Sequence, residues 1–133
     1  MTQDEESPLA ALGGLKAGWL VQAEVDLTEI ATVIAAMANP NAIMPALSKQ
    51  LYGVAHNIKG QAGTFGYLLM SDIAGKLCVY LRERGAALAA TDGPLLRAHH
   101  ASLSFVLSKR LEGDGGPAGR AILEKLAGLA GTR

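Results

Sequence analysis

Between residues 20 and 107, apolar side chains recur three and four positions apart, the spacing that lines one face of an α-helix. Leu20, Ala23, Leu27, Ile30, Ile34 and Met37 form the first stripe, and Asn39-Pro40-Asn41 breaks the chain after it. Leu47, Leu51, Val54, Ala55, Ile58, Ala62 and Phe65 form the second. They predict a helix that starts between Asn41 and Pro45 and stops at Gly66-Tyr67. Met70, Ile73, Leu77 and Leu81 predict another from Leu69 to Arg84, closed by Gly85. Asp92-Gly93-Pro94 opens the next, with Leu95, Leu96, Leu103, Val106 and Leu107 facing inward. No segment alternates with period two, so no strand is expected.

The ends follow other rules. Ser7-Pro8 has the N-cap and first-turn proline of a helix start. Gly13, Gly14 and Gly18 then weaken the pattern, which predicts a short piece distinct from the helix beginning near Leu20. Residues 86–91 are alanine-rich and fit neither template. Gly113-Asp114-Gly115-Gly116-Pro117 reads as a linker, and Ile122, Leu126 and Leu129 mark a short terminal helix. The expected fold is all-α: an antiparallel up-down four-helix bundle over 19–112. An N-terminal extension or short helix over 1–18 precedes it, and a linker and short helix over 113–133 follow.

Composition narrows the functional classes. The chain has 133 residues, half of them apolar but only 5% aromatic, so Leu, Ile, Val, Met and Ala must build the core. Twelve basic and twelve acidic side chains cancel, leaving no overall field to recruit nucleic acid or an anionic membrane. Cys78 is the single cysteine, so no internal disulfide forms and a reducing cytosol suits the chain. The start, MTQDEESPLA, is acidic and unlike a secretory signal. No apolar run approaches the roughly 20 residues that span a bilayer. A cytoplasmic protein is expected, and a monomer suffices for it.

One stretch departs from the helical economy of the rest: AHNIKGQAGTFG, residues 55–66. On a wheel of about 100° per residue, His56 lies about 155° from the centre of the apolar arc, so it faces outward. Tyr52 at i−4 and Lys59 at i+3 lie beside it, with Lys49, Gly60 and Gly63, and Gly53 a little further round. Three interior glycines forfeit roughly 2–3 kcal/mol of helix stability, and none falls on the core side. Their shared effect is to strip the surface around the imidazole, so that something as large as another protein can reach it. An ammonium one turn away would offset the negative charge of a phosphorylated ring. A solvated imidazole offers a neutral nucleophile near neutral pH. Together these features point to a histidine that carries phosphate.

The string HNIKGQAGTFG at 56–66, with Met70, Ile73-Ala74 and Leu77 beyond it, resembles the H-x-[LI]-K-G-x-A signature of histidine-containing phosphotransfer (HPt) domains of bacterial phosphorelays. The resemblance implies that His56 is the phosphoacceptor, that Lys59 stabilises the phosphate and that Gly60 clears access. Gly53, Gly63, Tyr52 and Lys49 become access and docking positions. It also implies response-regulator receiver domains and a hybrid histidine kinase as partners. The receiver would supply magnesium and the catalytic carboxylates, so the chain binds no cofactor and is a phosphocarrier rather than an enzyme in its own right. Two positions depart from the family pattern: Cys78 stands where an acidic residue is common, and Gln61 where a small one is. Asn57, not an acid, follows the histidine, and no Gly-rich phosphate loop follows a strand, so a relay is expected rather than a kinase. The alternative is a helical adaptor, never phosphorylated, that binds and regulates a kinase or response regulator.

The remaining candidates have plainer readings. His99 and His100 are adjacent on a helix and cannot clamp one metal ion, so core or boundary histidines are expected. Cys78 reads as a small semi-buried hydrophobe. Phe65 is core by phase, whereas Tyr52 should stand exposed. Lys76, Arg82 and Arg84 read as solvated face.

Overall fold

Ser7 caps the first helix through its hydroxyl, which accepts from the Ala10 N–H at 3.1 Å, and Pro8 occupies the first turn. From there α1 (Pro8–Ala36) runs unbroken through Gly13, Gly14 and Gly18. The expected division near Leu20 is absent. Glycine lowers helix stability by about 1 kcal/mol per site without forbidding helical angles, and the part of α1 from Trp19 onward is anchored in the core. Further elements are α2 (Met44–Thr64), α3 (Leu68–Arg84), α4 (Gly93–Ser108) and α5 (Gly116–Gly131). The ambiguous stretch after α3 forms two 3₁₀ turns, Gly85–Ala87 and Ala90–Asp92. This computed structural model describes residues 7–131; the acidic start, 1–6, and the end, 132–133, lie outside the described residues. Among the described residues every regular element is helical. No helix among them is long and apolar enough to cross a membrane.

The helices form a bundle in which α1 packs against α2 and α4, α3 packs against the same two, and α5 lies on α3 and α4. The predicted stripes meet at its centre: Ile30, Leu51, Ile58, Ile73, Leu77, Leu96, Leu103 and Val106 are fully buried. Phe65 is only half-buried and stacks on Trp19, with ring centroids 5.6 Å apart. At the other extreme, Leu9, Leu12 and Leu15 extend the apolar stripe of α1 beyond the packed region and are exposed, Leu9 by 81%.

Local chemistry sets the corners. Gly66 has φ +83°, and its N–H and that of Tyr67 donate to Gly63 O and Ala62 O, so the end of α2 is a Schellman turn. Buried Tyr67 then starts α3. The same turn ends α4, but Arg110 occupies the left-handed position with φ +52°. Its N–H and that of Leu111 donate to Leu107 O and Val106 O. The α3–α4 corner is pinned by buried Asp92. It accepts from Tyr80 Oη, from Arg84 Nε at 3.0 Å and from the Ala89 N–H at 2.9 Å.

The glycine-rich segment after α4 is tied down rather than loose. Gly113 donates to Gly66 O at 2.7 Å and accepts from the Leu69 N–H at 2.8 Å, which straps it to the α2–α3 corner. Gly116 and Pro117 already belong to α5, so this helix is longer than its apolar spacing predicts. Proline is favoured in a first turn, where its missing N–H is no loss. Gly119 is obligatory there, because a Cβ would lie 2.1 Å from Asp114 O.

Candidate functional site

One face of α2 buries Leu51, Ala55, Ile58 and Ala62, and this fixes what the opposite face presents. His56, Asn57, Lys59, Gly53, Gly60 and Lys49 are all exposed. The His56 ring makes no hydrogen bond among the described residues. Its contact is a near-parallel stack on Tyr52, with centroids 5.9 Å apart and planes 9° from parallel. Tyr52 was expected to stand exposed but is half-buried. Arg82 of α3 reaches across and holds it, with Nη1 donating to the phenol oxygen at 3.4 Å and Cζ 6.0 Å from the ring centre. An ordered stack of guanidinium, phenol and imidazole results.

The glycines divide into two groups. A Cβ added at Gly53 or Gly60 would meet nothing within 4 Å, so both border open space. At Gly63 it would lie 3.5 Å from Ser71 Oγ. Gly63 therefore borders the α2–α3 seam rather than open space, at a distance that an ordinary side chain would also tolerate. Close approach of the two helices also lets Ser71 Oγ donate to Lys59 O at 2.7 Å.

Lys59 leans towards α3. Its Cδ and Cε lie 3.5 Å from the place a Cβ would take at Gly75, so the stem rests on bare backbone there. Its ammonium and the Arg82 guanidinium both act electrostatically on Cys78. Burial raises the Cys78 thiol pKa above the ordinary value, and the two cations offset only part of that rise. Cys78 is thus a buried, protonated thiol rather than a nucleophile.

Arg82 and Gly75 are the positions that sequence reasoning missed. Arg82 reads as solvated face on its own helix, and Gly75 as an unremarked interior glycine. Both gain their meaning from the α2–α3 register, which pairs Tyr52 with Arg82 and Lys59 with Gly75. Beside Tyr52 a groove of about 470 Å³ opens between the start of α2 and the end of α3, lined in part by Met44, Lys49, Leu81 and Leu88.

The two adjacent histidines turn away from each other. His99 is buried and its Nδ1 donates to Leu95 O at 2.9 Å, while the His100 ring is bonded through Nε2 to Leu27 O at 3.0 Å. Among the described residues no group of His, Cys, Asp and Glu side chains is arranged to hold a metal ion. Comparison with protein-family models, with curated proteins and with solved structures gave no match.

Proposed function

We propose that this chain is a histidine phosphotransfer protein that relays a phosphoryl group between receiver-domain aspartates through His56. The observation that carries the reading is the imidazole itself. It is exposed, free of hydrogen bonds among the described residues, held against Tyr52, and flanked by Gly53 and Gly60, which face open space. A bulky partner can approach such a ring with little obstruction. The helix contacts suit the antiparallel up-down four-helix arrangement that the reading implies, with α1 to α4 each touching two others and α5 added outside.

In the transfer step, a ring nitrogen of neutral His56 attacks the phosphorus of a partner's aspartyl phosphate. The N–P bond forms as the acyl-phosphate P–O bond breaks, and the aspartate leaves as its carboxylate. The second ring nitrogen keeps its proton. Reversal onto another receiver completes the relay. Little covalent assistance is required, since phosphoryl transfer depends mainly on alignment and charge neutralisation. Magnesium on the receiver supplies part of that neutralisation. Lys59 supplies more by swinging off Gly75 towards the phosphate, and Tyr52 keeps the ring in its attacking orientation. The groove next to Tyr52, with Lys49 at its lip, offers docking ground for an acidic, magnesium-binding domain.

The test is transfer of label from a panel of phosphorylated receivers in magnesium. The wild-type chain should take up an acid-labile, base-stable label, His56→Gln none, and Lys59→Ala should be slower by about 10–100-fold. A wild-type chain that binds one of these receivers yet never takes up label is an adaptor, and the phosphoryl reading is then lost.

A further inference from the structure

A helix with one buried side should be polar on the other, as α2 is with Lys49, Asn57 and Lys59. α1 breaks this rule. Trp19, Ala23, Leu27, Ile30 and Ile34 supply the core from one side. On the opposite side Ala11, Gly14, Gly18, Val21, Val25 and Thr28 are all exposed and fall within about 100° of the helical wheel. Val21 is 64% exposed and Val25 56%. The Thr28 hydroxyl donates to Glu24 O of its own helix at 3.1 Å, so its proton is already placed. Three of the four charged side chains of α1 are engaged off this stripe: Lys16 pairs with Glu112, Asp26 is buried, and Glu29 accepts from Gln50 of α2.

The stripe is also ordered along its length. Its first half is small, and a Cβ at Gly14 or Gly18 would meet nothing within 4 Å, so each glycine is an open notch. Its second half is bulky, with Val21, Val25 and Thr28. A two-fold axis crossing between positions 19 and 20 lays Gly18 against Val21, Gly14 against Val25 and Ala11 against Thr28 of a second, antiparallel copy. Each pair then occurs twice. The face is complementary to itself in one register, a match that a different partner would not require.

Such a pairing also supports a weak segment. From Ser7 to Gly18 every residue but Lys16 is exposed, and three glycines weaken this part of the helix with no packing to offset them. In the pair it lies along the anchored half of the partner's α1. An overlap of residues 7–32 is about 39 Å long and buries on the order of 600 Å² per copy, close to the lower bound for a specific interface. Formal net charge is zero, so two copies meet without long-range repulsion.

We propose that the outward face of α1 is a homodimer interface, in which two copies pair antiparallel with Val21 and Val25 of each seated at Gly18 and Gly14 of the other. Phosphoryl transfer is independent of it, because His56 lies on the outward face of α2.

The experiment is sedimentation equilibrium of the full chain over a concentration series. The wild type should dimerise with a Kd of about 1–100 μM. Val21→Lys and Val21→Glu alter an exposed position beside the axis, where the two copies of residue 21 stand about one helical turn apart. Each alone should weaken dimerisation at least about tenfold by like-charge repulsion, and an equimolar mixture of the two should restore it. Gly14→Leu improves the helix while filling the notch for Val25, so it should weaken the dimer with circular dichroism still helical. It serves as the test if a charged variant fails to fold. A wild type that stays monomeric up to about 1 mM would leave the face to another partner and overturn the proposal. So would Val21 variants that dimerise like the wild type, or a mixture that stays monomeric.

Discussion

At the scale of single residues, the accessibility of His56 comes from what its neighbours lack. Gly53 and Gly60 leave open space where any other residue would place a side chain, while Tyr52 steadies the ring from the remaining side. Gly60→Leu is therefore an informative change. Leucine is the better helix former, so urea denaturation should show stability equal or higher by up to about 1 kcal/mol. Transfer to His56 should nevertheless fall by at least about tenfold, as one obstructing side chain misplaces the partner. Full activity in that variant would remove the access argument. The outward direction of His56 was legible in the sequence, because 3.6-residue periodicity fixes phase on a single helix. The path of Lys59 across Gly75 and the clasp of Arg82 on Tyr52 were not. They depend on how far α3 slides along α2, and periodicity within one helix carries no information about that offset.

At the scale of elements, apolar spacing located α2, α3 and α4 to within a few residues, because a helix with one buried face writes that face into its sequence. It failed at the ends for the same reason. The first turns of α1 bury almost nothing, so glycines there read as a break when they are only weak points. The first turns of α5 are set by Pro117 and by the close approach of Gly119 to Asp114, neither of which leaves an apolar signature. The corner that ends α4 shows a local rule broken. Arg110 adopts φ +52°, where a Cβ costs roughly 1–2 kcal/mol, while the equivalent corner of α2 has Gly66. Arg110→Gly should raise stability by about 1 kcal/mol in urea denaturation, unless the bond from its guanidinium to Leu107 O is worth as much. An unchanged or lower midpoint would show that the side chain compensates for its backbone.

At the scale of the whole molecule, buried His99 and Asp92 make the fold sensitive to acid, and the surroundings that set their titration were hard to foresee. His99 is recognisable by phase as a core histidine, but its environment is assembled from α3, α4 and α5 together. Its pKa is lowered, first by burial, so below pH about 6.5 the unfolded chain gains a proton that the folded chain refuses. Stability should decline with falling pH from that point. His99→Phe should flatten the decline, measured as urea midpoints between neutral and mildly acid pH; an unchanged slope would place the sensitivity elsewhere. Asp92 acts lower on the scale. Burial pushes its carboxyl up, but the bonds from Tyr80, Ala89 and Arg84 outweigh that and hold its pKa below the ordinary value. Its contribution is present at neutral pH and disappears as the pH drops through that lowered pKa.

The strap between Gly113 and the α2–α3 corner has a mechanical consequence. Gly66 ends the helix that bears His56, Leu69 belongs to the first turn of the next, and one distant residue bonds to both. A load applied to α5 is thus delivered to the far end of α2, some two and a half turns from the imidazole. Two backbone hydrogen bonds thus couple the segment leading into α5 to the end of the helix that carries His56.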